Sequence, residues 1–340
     1  MVLYKFLILS FFILLLNPDV YSQQYPNPVV DSLMKKGINE IINQKYDDAK
    51  EDFSVLNKKF PLLPFGKIYL AATEIARSYD LAEEFNTNYI EGNLDEAGKQ
   101  AKLLIEKDKN NVWNYYFKAL ADGYYAYFQA LNKNWLPALN NGMNCISGFE
   151  KCLNLNPRFY DAYTAIGSFK YWKSRKTEFL HWLPFIDNEE QRGINYLVIA
   201  TNHYSYNEYL AFNSLIWIYI DKKEYAKAVS LAQKVLTQYP GSRVFEWGLA
   251  RAYEGIDVKK SIDIYYRILN YYQNIPGLNK YYEIVLKHII AQQFYKLGES
   301  KKALLLCNEI LALNNLSDYV KNKLGSRLNR VKELQLELSK

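Results

Sequence analysis

The residue types that most often carry catalysis are scarce in this 340-residue sequence. It has three histidines, His181, His203 and His288, and they fall in different helical segments with no carboxylate at a fixed helical spacing. Nucleophilic triads, the HExxH zinc signature, Walker loops and glycine-rich dinucleotide loops are absent from the sequence. The sequence therefore predicts no catalytic residue, no metal site and no cofactor, and we expect the protein not to be an enzyme.

The three cysteines also lack a reactive or metal-binding pattern. Cys145 and Cys152 lie on one predicted helix, separated by about 10.5 Å along its axis, which is too far for a disulfide. Cys307 falls on a different predicted buried stripe. All three are predicted to act as small core residues.

Aromatic residues concentrate between Tyr160 and Arg192. Tyr171 and Trp172 lie on a predicted helix, ahead of several basic residues, and an aromatic run follows. The candidate lip residues in this run are Phe179, Trp182 and Phe185. Exposed rings beside cations suit a partner-binding or membrane-surface lip. The alternative, which we favour, is that the run folds back and fills the gap between two helices, because an exposed run this apolar would promote aggregation.

The first 22 residues are predicted to be a secretory signal peptide. Lys5 provides the positive flank, an apolar core covers Phe6 to Leu16, and small residues precede a cleavage site before Gln23. The apolar core is shorter than the roughly 20 residues that a membrane span requires. We therefore expect export to the periplasm, the outer membrane or the cell exterior, with membrane contact not favoured.

Composition indicates a globular, mostly helical chain. Apolar residues make up 49% and charged residues 23% of the sequence, while glycine and proline are sparse. The net charge of +6 is spread along the chain without a basic stripe, so no nucleic-acid partner is predicted. Tyrosine is unusually frequent, with 31 copies. These tyrosines are expected to be mostly core residues, although they could also line a sugar-binding or peptide-binding surface.

The clearest internal pattern runs from Tyr206 to Ser242 and predicts two antiparallel helices joined by a short turn. Tyr225, Ala228 and Ala232 lie on one stripe of the second helix, and Pro240 ends it. These residues, at these spacings, resemble the second half of a tetratricopeptide repeat. Residues 31–61 show the same intervals. The sequence also predicts a long helix from Phe65 to about Asn88 and an inserted turn from Asn132 to Pro137. Seven small or apolar markers repeat along the chain: Ala49, Ala97, Cys145, Gly193, Ala228, Ser261 and Ala303.

The resemblance implies an all-α fold, a right-handed superhelix of about seven helix pairs followed by a polar capping helix. The predicted divisions are a signal peptide over residues 1–22, the repeat array over 23–316 and the cap over 317–340. The first helix of each pair would line a concave groove. Projected groove candidates are Tyr171, Trp172, Asn213, Trp217, Arg243, Glu246, Tyr253, His288, Gln292 and Tyr295.

Three functions follow from this reading. The favoured one is a non-catalytic scaffold or assembly factor that binds a protein or peptide partner in the groove. The second is a carbohydrate or peptide receptor, which a deep pocket lined by tyrosine and tryptophan would favour over a broad open groove. The third is an enzyme, which would need titratable residues to converge in a closed cleft, for instance near His181 or His288.

Overall fold

The computed structural model describes residues 23–178 and 188–340, and this part of the chain is built from helices without strands. The predicted signal peptide and the candidate lip residues Phe179, Trp182 and Phe185 lie outside the described residues. The helices are α1 Pro28–Ile42, α2 Tyr46–Lys59, α3 Phe65–Leu81, α4 Thr87–Lys107, α5 Val112–Leu131, α6 Trp135–Leu155, α7 Tyr160–Lys176, α8 Glu190–Thr201, α9 Glu208–Asp221, α10 Tyr225–Gln238, α11 Arg243–Tyr253, α12 Val258–Gln273, α13 Tyr281–Lys296, α14 Ser300–Leu311 and α15 Asp318–Leu338.

The helices form seven consecutive pairs, α1–α2 to α13–α14, and α15 follows as the capping helix. The predicted all-α superhelix of helix pairs is confirmed. All seven marker residues are buried where helices cross. At Gly193 the crossing is so close that an added Cβ would lie 2.7 Å from the carbonyl oxygen of Gly167. Small residues at these positions therefore set the distance between neighbouring helices.

Two predicted helix boundaries were wrong. The helix that begins at Phe65 was expected to reach about Asn88, but it ends at Leu81 because Ala82 adopts a left-handed conformation and closes the last turn with its N–H. The predicted turn from Asn132 to Pro137 is also shorter, because α6 begins at Trp135. Pro137 lies in the first turn of α6, where a helix does not require the N–H that proline lacks.

The superhelix turns tightly enough for the second pair to reach the sixth and seventh pairs. Asp80, near the end of α3, accepts a hydrogen bond of 2.9 Å from the Tyr272 hydroxyl and is ion-paired with Arg243. Tyr282 donates to the carbonyl of Tyr79 at 2.8 Å. Asn279 donates to the carbonyl of Ala82 at 2.8 Å.

The first helix pair also contacts the sixth pair. The Ser242 hydroxyl donates to the Ile42 carbonyl at 2.8 Å, and the Arg243 N–H donates to the side chain of Gln44 at 3.2 Å. At the other end, Tyr319 of the capping helix donates to the Glu83 carbonyl at 3.3 Å. The first two helix pairs therefore contact the sixth and seventh pairs and the capping helix. We call this contact the closure of the array.

We expect Arg243→Ala to destabilise this closure. The Arg243 guanidinium is buried, lies 3.6 Å from the centre of the Tyr271 ring and neutralises Asp80. Removing one partner of such a pair leaves a desolvated charge, so the free energy of unfolding should fall by about 3 kcal/mol. Urea denaturation followed by circular dichroism measures this change.

Arg251→Ala is the matched control on the same helix. Arg251 is exposed and pairs with Glu254, which also accepts a hydrogen bond from Tyr265. Its removal should cost less than about 1 kcal/mol. Equal losses for the two variants would contradict a structural role for the Arg243–Asp80 pair.

Candidate functional site

The ten projected groove residues differ widely in exposure. Tyr171, Arg243, Tyr253 and His288 are buried; Trp172, Asn213, Trp217 and Glu246 are partly buried; Gln292 and Tyr295 are exposed. The closure of the array fills the inner surface around Arg243. As binding residues, all ten remain a prediction.

Several of these side chains are engaged within the fold. The Tyr171 hydroxyl donates to Asp221 at 2.7 Å, which connects α7 to the end of α9. Tyr253 accepts a hydrogen bond of 3.1 Å from Gln233, and Glu246 pairs with Arg267 at 3.2 Å. Tyr295 donates to Glu337 of the capping helix. The inner face is therefore not a continuous open groove over α11 and α13.

Asn213 and Trp217 are less constrained. The Asn213 side-chain oxygen is buried, and it has no hydrogen-bond partner among the described residues. Both residues lie on α9, whose Ser214 shares a 2.9 Å hydrogen bond with Ser168 of α7. Trp172 lies on α7, so the structure places Trp172, Asn213 and Trp217 on neighbouring inner helices.

The described histidines are not arranged as catalytic groups. His288 is buried with Nδ1 3.2 Å from the Arg327 guanidinium, and burial together with the Arg327 and Arg330 charges lowers its pKa to about 4. His203 stacks on Tyr160, and its Nδ1 lies 2.9 Å from the Ile199 carbonyl. A cationic neighbourhood keeps His288 neutral, but no described carboxylate orients its ring.

A pocket that the sequence did not predict lies between α1 and the start of α9. Its volume is about 250 Å³, and it is lined by Lys35, Ile38, Asn39, Ile42, Tyr204, Ser205, Tyr206, Glu208 and Tyr239. Burial raises the pKa of Glu208 to about 7. Ser205 and Glu208 have the S-x-x-E spacing of a capping box in the sequence, but α9 begins at Glu208 with Asn207 as its N-cap, so this spacing does not mark the pocket. The approach of α1, from more than 150 residues away, has no local signal.

The pocket rests on a network of buried hydrogen bonds around Asp161. This carboxylate accepts from the Tyr116 hydroxyl, from the Asn207 N–H at 2.9 Å and from the Gln23 side chain at 3.1 Å. The Asp161 N–H donates in return to Gln23 at 2.9 Å. Tyr69 donates to the Asn207 side chain at 3.1 Å. The segment from Tyr204 to Glu208, which leads into α9, is therefore held in place by this network.

An exposed apolar surface lies on the first half of α6, and we call it the α6 apolar face. It consists of Trp135, Leu136, Leu139 and Met143, whose side chains are 66%, 81%, 60% and 59% exposed. The opposite side of the same helix packs in the core through Cys145, Phe149 and Cys152. No charged residue occurs between Lys133 and Glu150. This face was not predicted from the sequence, because its apolar spacing resembles that of a buried stripe.

Within residues 23–178 and 188–340, no helix is both long enough and apolar enough to cross a bilayer.

We expect Glu208 to make stability depend on pH. Its pKa in the folded state, about 7, lies above the ordinary value of 4.5, so the folded state binds the proton more tightly than the unfolded state. The stabilisation is complete below pH 4.5 and is lost as the pH rises through 7. Glu208→Gln should flatten the decline in melting temperature between about pH 5 and pH 8, an effect of roughly 1–2 kcal/mol because the side chain keeps some solvent contact.

Glu40→Gln is a useful comparison, because burial and the neighbouring Asp52 also raise the pKa of Glu40 to about 7. Glu40 interacts with Lys36 and Asp52, neither of which contributes to the pKa of Glu208. The Glu40→Gln/Glu208→Gln double variant should therefore change the pH dependence of stability by close to the sum of the two single effects. A pH profile of Glu208→Gln that superimposes on that of the unaltered protein would contradict the protonation of Glu208 in the folded state.

Comparisons with known proteins agree with this architecture. Residues 215–242 match a family model described as Tetratricopeptide repeat. The fold is similar to that of a monomeric mutant of IFIT1 solved with Gppp-AAAA, at a TM-score of 0.50 and 14% identity, covering 86% of this chain and 61% of that one. The predicted absence of a nucleic-acid partner stays a prediction. No curated protein matches the sequence.

Two bacterial structures are also similar. A thermophilic TPR protein from Thermus thermophilus has a TM-score of 0.40 and 15% identity, covering 66% of this chain and 98% of its own. A tetratricopeptide repeat protein from Parabacteroides merdae has a TM-score of 0.39 and 12% identity, covering 92% of this chain and 100% of that one. With one segment that matches the repeat model, seven helix pairs and small residues at their crossings, the described part of this chain has a tetratricopeptide-like superhelical fold.

Proposed function

We propose that the protein is an exported, non-catalytic interaction scaffold that binds a protein partner through the α6 apolar face. The observation that carries this proposal is the exposure of four large apolar side chains on one helix. Burying each of them would contribute about 1.5–3 kcal/mol to association. The core contacts of α6 lie on its opposite side, through Cys145, Phe149 and Cys152.

The composition of the face supports a protein partner. Protein interfaces are depleted in charge at their centre and enriched in aromatic residues and methionine. Leu136, Leu139 and Met143 follow one another at helical spacing, and Trp135 lies beside them. The flanking polar residues include three exposed amides suited to the rim of such an interface: Asn134, Asn140 and Asn144. The inner groove favoured from the sequence is less suitable because the chain's own contacts fill part of it.

We expect a Leu136→Asp/Leu139→Asp variant to lose its partner. The test uses purified residues 23–340 as bait in an envelope extract of the source, followed by binding measurements with the purified partner. Two carboxylates in a desolvated interface should weaken affinity at least about 100-fold. Circular dichroism should show an unchanged melting temperature, because both positions are exposed.

The matched control is Leu103→Asp/Leu305→Asp, which changes two leucines that are exposed singly on α4 and α14. This control should retain the partner. A Trp217→Ala/Tyr253→Ala variant tests the groove in parallel. Loss of the partner in the groove variant, with retention in the α6 variant, would contradict the proposed surface and return the site to the groove.

We also expect the exported protein to begin at Gln23. Support comes from the fold, in which the Gln23 N–H donates to the Tyr204 carbonyl at 3.2 Å and the side chain pairs with Asp161. Gln23 is thus part of the packed array. Intact mass spectrometry of the protein isolated from the envelope should give the mass of residues 23–340. A mass that includes residues 1–22 would contradict the cleavage.

A small-ligand receptor is the second candidate function, and the pocket between α1 and α9 favours it. Three tyrosines, Tyr204, Tyr206 and Tyr239, line this pocket together with Glu208. Aromatic rings and a few convergent polar groups in a concave site are typical of ligand binding.

A further inference from the structure

The pocket between α1 and α9 contains a carboxylate that forms no ion pair among the described residues. Glu208 is partly buried at the start of α9, and it forms no ion pair with any residue that the structure describes. A second buried carboxylate, Asp161, adds its negative charge to the surroundings of Glu208. A partly desolvated anion without a counter-ion is costly to the fold. Such a group gains most from a ligand that brings the missing positive charge.

Three tyrosines line the same pocket as this carboxylate. Tyr239 and Glu208 both line the pocket, and burial and then the Glu208 charge raise the pKa of the Tyr239 hydroxyl. Burial, then the Asp31 charge and then the Glu208 charge also raise the pKa of the Tyr204 hydroxyl. Tyr206 forms a third wall, and its hydroxyl is fixed by a 2.6 Å hydrogen bond to Asp31. Ring faces carry partial negative charge, so this wall attracts cations.

One of these rings already lies beside a cation of the protein. The ammonium group of Lys35 lies 5.2 Å from the centre of the Tyr204 ring. Lys35 is neutralised by Asp31 at 2.8 Å, and it forms no ion pair with Glu208 among the described residues. The positive charge on the pocket wall is therefore balanced by its own partner.

We propose that this pocket binds an alkylammonium group, with the Glu208 carboxylate as its counter-ion and the rings of Tyr204, Tyr206 and Tyr239 as its walls. The inference rests on the receptor function, and it names the chemistry of the ligand. A volume of about 250 Å³ is below the roughly 300–1,000 Å³ of sites that enclose drug-sized ligands. The pocket therefore fits one amine-bearing chain, supplied by a free amine or by a lysine side chain of a partner.

Isothermal titration calorimetry of residues 23–340 tests this proposal with n-butylammonium chloride and N-acetyl-lysine methylamide at constant ionic strength. The titration is done at pH 8.5, where Glu208, with its pKa of about 7, is ionised and the amines remain protonated. Sodium butyrate and methyl α-glucoside are the anionic and neutral controls. We expect saturable binding of an amine, with a dissociation constant below about 1 mM. Binding of both amines indicates a free amine as ligand, and binding of the lysine derivative alone indicates a partner's side chain.

Two variants connect the binding to the pocket. Glu208→Gln keeps the shape and removes the charge, so affinity should fall at least tenfold. Tyr239→Ala keeps the charge and removes one wall, so affinity should fall several-fold. The control is Leu136→Asp/Leu139→Asp, which should bind the amines unchanged because the α6 apolar face is a separate surface. Melting temperatures with and without amine identify any variant that fails to fold.

The remaining outcomes overturn the inference. Amine binding that survives Glu208→Gln, or equal binding of butyrate, would exclude a charge-specific site. Saturable binding of methyl α-glucoside alone would overturn the ammonium inference and leave the receptor function standing. The absence of binding by all four probes would overturn both, and the scaffold function would still be decided separately at the α6 apolar face.

Discussion

The buried carboxylate of Asp161 is the interaction on which the rest of the structure depends. It is only 2% exposed, and burial raises its pKa, so its charge must be stabilised by hydrogen bonds from the protein. The donors come from three separate places: Gln23 before the first helix, Tyr116 on α5 and Asn207 before α9. Satisfying one carboxylate therefore holds together segments that are distant in sequence.

The closure of the array explains why the inner groove is not the broad surface expected of an open solenoid. Within this closure, the end of α3 meets α11 and α12, and Asp80 is the acceptor for Arg243 and Tyr272. Arg243 was a groove candidate, and its ion pair now joins the second helix pair to the sixth. Among the described residues, exposed apolar side chains are found instead on α6, and a small pocket lies between α1 and α9.

What the sequence could predict is the local part of this structure. Ala228 and Gly193 mark helix crossings within one pair, and contacts between adjacent helices depend on spacings of a few residues. The early end of α3 was missed because Ala82, without a glycine or proline signal, adopts a left-handed conformation. The Arg243–Asp80 pair and the pocket were missed for another reason. They depend on the small rotation between neighbouring pairs, summed over several pairs, which no local pattern encodes.

The frequency of tyrosine follows from the same closure. A filled inner surface must be apolar enough to pack and must also satisfy carbonyls and carboxylates that face it, and tyrosine meets both needs with one side chain. Tyr69 and Tyr116 bond to the network around Asp161, Tyr272 and Tyr282 bridge α12 and α13 to the end of α3, and Tyr319 extends the contact to the capping helix. Phenylalanine would pack in these places but would leave buried acceptors without donors. Sequence spacing could not separate core tyrosines from surface tyrosines because these rings lie in the core while their hydroxyls join helix pairs that are far apart in the chain.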